Sequence, residues 1–313
     1  MGAGKAAAGQ RAGFVAIIGR PNVGKSTLLN RILGEKVAIV SPRPQTTRTR
    51  ILGVYNGPGV QLAFFDTPGL HRAKGALNRR MVEVALQTLR EVDAVLLLVE
   101  AGAGPGGQVE VGEATRWAVA EVARSKKPAV LGVNKMDQVP RPMLLPVIAA
   151  YKDLHDWAAI VPFSALTGEN VEDLLATLAR LVPEADAPLF PPDLLTDQAE
   201  RTLAAEYVRE QVMQLTHDEL PYSVAVEVEE FDESERRDDG GLVRISALIW
   251  VERSSQKAIV IGKGGAMLKR VGTRARERME RLLGAKVFLS LTVKVEERWS
   301  ERLETLRRLG ISR

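Results

Sequence analysis

An apolar run at residues 13–19 (GFVAIIG) leads directly into the glycine-rich stretch GRPNVGKST at residues 19–27. This stretch matches the phosphate-loop pattern GxxxxGK[ST], whose glycines let successive backbone N–H groups point at phosphate oxygens. The helix that follows such a loop adds the positive end of its dipole. We therefore predict a strand, a phosphate-binding loop and a helix, although this loop alone does not distinguish one nucleoside triphosphate from another.

Within the loop, Lys25 is expected to bridge the β- and γ-phosphates, and the Ser26 hydroxyl is expected to ligate Mg²⁺. The alternative is an ordinary strand-to-helix turn that needs glycine for its backbone. The predicted phosphate-binding residues are Gly19, Arg20, Pro21, Asn22, Val23, Gly24, Lys25, Ser26 and Thr27.

Further apolar runs predict an α/β domain with a mostly parallel sheet and helices on both faces, because strands buried on both faces are continuously apolar. The domain is predicted at 13–182, after a disordered N-terminus at 1–12. Its predicted strands are 14–19, 62–66, 94–99, 129–133 and 159–164.

A proline-rich linker at 183–196 separates this domain from a different pattern. A helix from about 197 is followed by strands in which apolar and polar residues alternate, as in a sheet with one wetter face. This predicts a smaller α+β domain at 197–313 that ends in a helix. The acidic segment 232–241 is predicted to be a mobile hairpin loop.

Polar residues lie at or just after the ends of three of the predicted strands. Asp66 of DTPG (66–69) can hold Mg²⁺ through water, and Asp137 of NKMD (134–137) can accept both the N1 and N2 hydrogens of guanine. Adenine does not offer that pair of donors, so the pattern favours GTP. Because ligands of open α/β sheets bind where the strands end, a shared site is expected. The predicted guanine-binding residues are Asn134, Lys135, Asp137, Ser164, Ala165 and Leu166.

In this order, the motifs resemble those of translation-factor-related GTPases over residues 13–182. The resemblance implies that QTTRTR (45–50) is a switch I loop, in which Thr47, or else Thr46, completes the Mg²⁺ shell; composition alone would make it a polar loop. Its implied residues are Gln45, Thr46, Thr47 and Arg48. The implied residues of switch II are Asp66, Thr67, Pro68, Gly69 and Leu70.

Leu70 stands where Ras-like proteins place the glutamine that orients water. Hydrolysis is therefore expected to be slow, assisted by a partner, or organised by backbone and ions. In a subset of these GTPases, the asparagine of the phosphate loop helps to hold a K⁺ ion, and Asn22 occupies that position. A turn-forming role for Asn22 is the alternative.

A second glycine loop, GKGG at 262–265, precedes a helix with Arg270, Arg274, Arg278 and Arg281 on one face. The backbone of a GxxG loop can approach a phosphodiester closely while basic side chains neutralise it. With the elements around it, the loop resembles that of a type II KH domain over about 197–295; a helix start with a solvated Arg face is the alternative. The predicted RNA-binding residues are Ile261, Gly262, Lys263, Gly264, Gly265, Lys269, Arg270 and Arg274.

Charge is distributed unevenly along the predicted linker and the second domain. Residues 183–239 carry 4 Lys+Arg against 17 Asp+Glu, whereas residues 240–313 carry 17 against 7. The basic segment predicts an anionic partner. The absence of Cys excludes disulfides and Cys-ligated metals, and no apolar run is long enough to span a membrane, so we expect a cytoplasmic protein.

A single GTPase domain with QTTR in switch I, followed by LPYSV (220–224) and VIGKGG (260–265), resembles the Era family of bacterial GTPases over nearly the whole chain. The resemblance implies a monomeric GTPase whose KH domain binds single-stranded 16S ribosomal RNA near its 3′ end and assists 30S subunit assembly, with no DNA partner. Peripheral association with the inner face of the cell membrane is a further implication. The alternatives are a membrane-associated signalling GTPase and an RNA-binding scaffold in which GTP turnover is secondary.

Overall fold

The computed structural model describes residues 10–71, 75–102, 109–217, 220–237 and 240–311. These residues form two compact units: the first from the described residues of Met1–Ala38, Thr47–Ala73 and Met81–Asp197, and the second from those of Ile39–Thr46, Lys74–Arg80 and Gln198–Arg313. Residues 1–9, which belong to the N-terminus predicted to be disordered, lie outside the described residues. Within the described part of the chain, none of the helices has the length and apolar character needed to cross a membrane.

The first unit is built on one sheet. Its strands are β1 (Arg11–Gly19), β2 (Ile51–Gly57), β3 (Val60–Asp66), β4 (Ala94–Glu100), β5 (Ala129–Asn134) and β6 (Ala159–Pro162). They lie in the order β2-β3-β1-β4-β5-β6, and all neighbours are parallel except β2 and β3. The helices are α1 (Lys25–Leu33), α2 (Ala76–Glu91), α3 (Glu113–Ser125), α4 (Leu144–Lys152) and α5 (Val171–Ala179). The part of α2 that belongs to this unit starts at Met81.

Two apolar clusters cover the two faces of this sheet. Ala16 and Ile18 of β1 pack in one cluster with α2, α3 and α4, whereas Val15 and Ile17 pack in the other with α1 and α5. Because both faces of β1 are buried, its sequence is continuously apolar. The prediction of a mostly parallel sheet with helices on both faces is confirmed.

Strand β1 begins two residues before the predicted start of the domain. The Arg11 N–H donates to the Gly59 carbonyl at 3.0 Å, and the Ala12 N–H donates to the Pro183 carbonyl at 3.1 Å. These bonds order residues 11 and 12, in contrast to the prediction of disorder up to residue 12.

The proline-rich segment 183–196 lies along the first unit. The Val54 N–H of β2 donates to the Leu195 carbonyl at 2.8 Å. Phe190 forms two hydrogen bonds of 2.9 Å with the side chain of Gln61, one through its N–H and one through its carbonyl. The predicted linker is therefore bound to the sheet edge along much of its length.

The second unit contains α6 (Glu200–Leu215), β7 (Ala225–Arg237), β8 (Gly240–Val251), α7 (Ser254–Ile261), α8 (Ala266–Leu283), β9 (Lys286–Val295) and α9 (Leu303–Arg308). Strand β8 is antiparallel to β7 and parallel to β9. A parallel pair needs a crossover connection, which α7 and α8 supply. One apolar cluster joins the sheet to α6, α7 and α8, so the prediction of a smaller α+β domain is confirmed.

The hairpin between β7 and β8 is mostly strand, so the prediction of a mobile loop over 232–241 is wrong. The two strands cover all of that segment except two residues outside the described part of the chain. The Arg236 guanidinium donates to Glu200 at 2.6 Å, and the Arg244 guanidinium donates to Glu235 at 3.0 Å. Charged side chains that the sequence alone would place in solvent therefore form ion pairs in this hairpin.

Helix α9 is anchored by a carboxylate that follows β9. Glu296 accepts a hydrogen bond from the Thr305 hydroxyl at 2.6 Å and another from the Arg308 guanidinium at 2.7 Å. The bond from Thr305 contributes most to lowering the pKa of Glu296, and Arg308 lowers it further, whereas burial opposes the shift. The carboxylate form of Glu296 therefore holds the last helix.

Candidate GTP site and nucleic-acid interface

The phosphate loop connects β1 to α1 at the carboxyl end of the sheet. At Gly24 the backbone φ is 99°, and a Cβ atom there would lie 2.2 Å from the Asn134 side-chain nitrogen. Only glycine fits both the conformation and the space. Asn22 also has a positive φ, 66°, which Asn adopts more readily than most residues. The loop therefore curls in the way that a phosphate-binding backbone requires.

Lys25 provides a buried positive charge in this loop. Its Nζ donates to the Arg20 carbonyl at 3.1 Å and to the Gly19 carbonyl at 3.4 Å. Burial lowers the pKa of Lys25 to about 8, although the charge of Asp66 acts to raise it. The ammonium group is therefore still mainly protonated at pH 7, where it can meet a phosphate oxygen.

The three side chains predicted to hold Mg²⁺ lie together. The Ser26 hydroxyl donates to Asp66 Oδ2 at 2.6 Å and lies 2.9 Å from the Thr47 hydroxyl. Asp66 is fully buried, and its Oδ1 has no hydrogen-bond partner among the described residues. Burial raises the pKa of Asp66, while Lys25 and the two hydroxyls oppose that shift. A buried, unsatisfied carboxylate oxygen beside two hydroxyls fits Mg²⁺, which takes oxygen ligands.

Of the two threonines of switch I, Thr47 belongs to this cluster. The Thr46 hydroxyl donates instead to the Arg43 carbonyl at 2.7 Å. Gln45 has a positive φ of 62°, which turns the chain just before the threonines, and Arg48 is buried after them. The structure thus favours Thr47 over Thr46 as the Mg²⁺ ligand.

Switch II passes against the phosphate loop. A Cβ atom on Gly69 would lie 2.6 Å from the Pro21 nitrogen. The Leu70 N–H donates to the Gly19 carbonyl at 3.0 Å, and the Leu70 side chain is fully buried in the apolar cluster that contains α2, α3 and α4. The Thr67 hydroxyl donates to a β1 carbonyl at 2.8 Å. Leu70 therefore fixes the backbone, and its side chain points away from the phosphate site.

Asn134 ties the two guanine motifs to the phosphate loop. Its Nδ2 donates to the Val23 carbonyl at 2.7 Å, and its Oδ1 accepts the Ala165 N–H at 2.9 Å. The side chain is buried, so both ends of its amide act inside the protein. Asn134 thereby positions the loops on either side of the base site.

The remaining predicted guanine-binding residues lie where β5 and β6 end. Asp137 is exposed just after β5, and Lys135 forms an ion pair with Glu100 at the end of β4. Ser164 is fully buried, and its hydroxyl accepts a backbone N–H, whereas Leu166 is 64% exposed. The exposed carboxylate of Asp137 is available to a base at this edge.

Arg31 also contributes to this region and was not predicted. Its Nε donates to the Ala165 carbonyl at 3.2 Å, and its guanidinium also donates to the Leu166 carbonyl. Arg31 lies in the last turn of α1, so the helix that begins in the phosphate loop also holds the loop after β6. No motif marks this residue in the sequence.

The second glycine loop joins α7 to α8. Gly262 has a φ of 72°, and a Cβ atom on it would lie 2.7 Å from the Met267 Cβ. Gly264 and Gly265 have φ values of 59° and 79° with open space beside them. The apolar residues before the loop are the end of α7. The loop backbone is consequently accessible to a ligand.

Basic side chains flank this loop on the surface. Lys263, Lys269, Arg270 and Arg274 are exposed, and Ile259 beside them is 53% exposed. Arg278 differs from the others, because its Nε lies 3.6 Å from the fully buried Glu210. The open basic face therefore excludes Arg278.

A phosphate loop, DTPG and NKMD at the strand ends of a mostly parallel sheet define a P-loop GTPase, and the order α6-β7-β8-α7-loop-α8-β9 defines a type II KH domain. Residues 14–135 match the family model described as 50S ribosome-binding GTPase, and residues 219–300 match the model described as KH domain. The GTPase Era of Geobacter metallireducens is 52% identical over 96% of this chain and 97% of its own length. The chain belongs to the GTPase Era family, and it is a GTPase.

Other relatives agree with this assignment. The GTPase Era of Lacticaseibacillus paracasei is 46% identical over 95% of this chain and 96% of its own length. A crystal structure of Era with MgGDPNP and nucleotides 1506–1542 of 16S ribosomal RNA has a TM-score of 0.89 and 41% identity, covering 97% of this chain and all of that one. A variant of Aquifex aeolicus Era bound to GDP.AlF4⁻ has the same TM-score, identity and coverage.

Proposed function

We propose that this protein is a cytoplasmic GTP-dependent switch that binds single-stranded small-subunit ribosomal RNA near its 3′ end and assists assembly of the 30S subunit. The observation that carries the proposal is the presence of two different glycine loops, one beside the NKMD motif and one beside exposed Lys and Arg. The related Era structure that contains nucleotides 1506–1542 of 16S ribosomal RNA supports RNA as the second ligand.

In the GTP site, the backbone of the phosphate loop and Lys25 would hold the phosphates. Ser26 and Thr47 would ligate Mg²⁺ directly and Asp66 through water, and the ion would supply positive charge to the phosphate oxygens. Asp137 would accept the two guanine hydrogens, while Asn134 keeps the surrounding loops in place. Asp137→Asn should therefore weaken GTP binding and admit xanthosine triphosphate.

For hydrolysis, we propose that backbone groups and a K⁺ ion held with the help of Asn22 take the place of an orienting glutamine. The support is that the Leu70 side chain is buried and Asn22 is exposed in the phosphate loop. Single-turnover hydrolysis should slow about tenfold or more when K⁺ is replaced by Na⁺, and Asn22→Ala should remove most of that difference. Equal rates in the two salts would contradict the proposed role of K⁺. They would not bear on the proposed GTP-binding residues.

The RNA proposal is tested with Gly264→Asp, which places a negative charge in the exposed loop. Gly264 has open space beside it and a left-handed φ of 59°, which Asp tolerates better than most residues. The variant should therefore fold and bind GTP as before while RNA affinity falls at least tenfold. The probe is a single-stranded RNA with the 3′ sequence of the small-subunit RNA. Lys126→Asp, a charge change at an exposed residue of the first unit, is the control. Unchanged RNA affinity in Gly264→Asp would overturn the assignment.

The switch itself requires that RNA affinity depends on the bound nucleotide. Affinity should be higher with a non-hydrolysable GTP analogue than with GDP, because only the γ-phosphate state orders switch I around Mg²⁺. Identical affinities in the two states would favour a simple RNA-binding scaffold. If anionic vesicles displace bound RNA from the protein in a competition assay, the result would instead favour attachment of the basic surface to the membrane.

A further inference from the structure

The segment Ile39–Thr46, which leads into Thr47, packs on α6 within the second unit. Ile39 is buried in the apolar cluster of that unit. The Val40 N–H donates to Glu210 Oε1 at 2.9 Å, and the Val40 carbonyl accepts from Gln214 Nε2 at 3.2 Å. Helix α6 therefore takes up both backbone groups of Val40 and fixes the start of the segment.

The end of the segment is held by Arg209, the residue that precedes Glu210 on the same helix. Arg209 is only 2% exposed, and its guanidinium is oriented by Glu206 at 2.8 Å and by the sulfur of Met213 at 3.3 Å. Its Nη2 donates to the Thr46 carbonyl. Because that carbonyl shares a rigid peptide plane with the nitrogen of Thr47, the bond sets the direction in which the chain enters Thr47.

From these contacts we infer that Arg209 and Glu210 are positioning residues for GTP hydrolysis: they hold Ile39–Thr46 so that Thr47 is presented to the Mg²⁺ of bound GTP. The inference rests on the proposed role of Thr47 as a Mg²⁺ ligand. The Thr47 hydroxyl lies 2.9 Å from the Ser26 hydroxyl. Because Thr47 directly follows Thr46 in the chain, the path of residues 39–46 affects where that hydroxyl lies.

The burial of Glu210 makes it unfavourable to break the hydrogen bond between its carboxylate and the segment. It is fully buried, and its partners include the Val40 N–H, Arg278 at 3.6 Å and Gln211 at 3.4 Å. A buried carboxylate that loses a hydrogen-bond donor is penalised, because water does not replace the lost partner. Release of Val40 is thus unfavourable. Through Arg278, the contacts of Glu210 also extend to α8, the helix that follows the GKGG loop.

The test measures nucleotide binding rather than turnover alone. In Arg209→Met, the Mg²⁺ concentration needed for half-maximal binding of a non-hydrolysable GTP analogue should rise about tenfold, while GDP affinity stays within about twofold. Hydrogen exchange of the backbone amides in residues 39–47 should become faster. Arg209→Lys, which keeps one charged donor, should recover part of both effects.

Arg201→Met is the matched control, because Arg201 lies on the same helix and donates to the Val228 carbonyl of β7. It should change neither the Mg²⁺ requirement nor the exchange of residues 39–47. A general weakening of the fold would affect GDP and GTP-analogue binding alike, so the difference between the two nucleotides separates positioning from stability.

Thr47→Ala distinguishes failure of the inference from failure of the proposed function. If Thr47→Ala leaves the Mg²⁺ requirement unchanged, the proposed role of Thr47 is wrong. If it raises the requirement and Arg209→Met does not, the positioning inference is overturned. Should Arg209→Met fail to fold, Gln214→Ala removes an exposed donor to Val40 and should still accelerate exchange in residues 39–47 and raise the Mg²⁺ requirement two- to threefold; no change in either would overturn the inference.

Discussion

At the scale of single residues, Leu70 shows why replacing one side chain should not convert this site into a glutamine-dependent GTPase. Its side chain is fully buried, and its N–H donates to the Gly19 carbonyl of the phosphate loop. We expect Leu70→Gln to lower the free energy of unfolding by about 2–3 kcal/mol, because an amide would replace apolar atoms in the core. Single-turnover hydrolysis should not become faster.

The control is Leu70→Met, which preserves apolar character and volume and should cost less than about 1.5 kcal/mol. Chemical denaturation measures stability for both variants. A tenfold gain in the hydrolysis rate of Leu70→Gln would show that the side chain at this position can reach the attacking water.

The motif residues could be predicted because each is tied to a short pattern at the end of an apolar strand. The way in which they act could not. Asn134 is predicted to bind guanine, and the structure adds that its amide bridges Val23 and Ala165, which no motif reveals. Arg31 and Arg209 belong to no motif, and their partners are backbone carbonyls distant in sequence, so no local pattern reveals them.

At the scale of elements, α9 should depend on pH through Glu296. The folded-state pKa of this carboxyl is lowered from its usual value of 4.5. Its contribution to the free energy of unfolding is therefore fully present above about pH 4.5 and is lost as the pH falls through the lower folded-state pKa. Glu296→Gln should therefore reduce the free energy of unfolding by about 1 kcal/mol at pH 7 and by less at pH 3.

The neighbouring Glu297 is exposed, and Glu297→Gln provides the control. Denaturation curves between pH 3 and 7 measure both variants against the parent protein. A difference between Glu296→Gln and the parent that stays constant across this range would rule out the carboxylate as the anchor of α9.

Elements with strong periodicity were predictable, and those stabilised by distant partners were not. Strand β2 is short and contains two glycines, so its sequence carries little strand signal, yet pairing with β3 organises it. The same reason explains the hairpin at 232–241. Its charged residues resemble a solvated loop until Arg236 is seen to bond Glu200 on α6.

At the scale of the whole molecule, the basic face of the second unit should make RNA binding dependent on salt. Lys263, Lys269, Arg270 and Arg274 are exposed, and one phosphate contact each predicts a slope of about −3 for log K against log salt concentration with single-stranded RNA. Arg274→Gln should reduce the steepness by about 0.7, whereas Arg180→Gln, at an exposed position of the first unit, should not. A parent slope near zero would exclude phosphate contacts as the main source of affinity.

The segment 183–196 has a consequence for the solubility of the first unit. Strand β2 is the last strand on one side of its sheet, and an open strand edge offers unpaired backbone groups on which another chain can add. The Leu195 carbonyl accepts a hydrogen bond from the Val54 N–H, and the Thr196 hydroxyl donates one to the Leu52 carbonyl. The prolines of the segment lack the N–H needed to continue the ladder. The segment therefore acts as a guard against edge-to-edge aggregation, and a GTPase fragment cut at Val182 should self-associate where one cut at Asp197 stays monomeric.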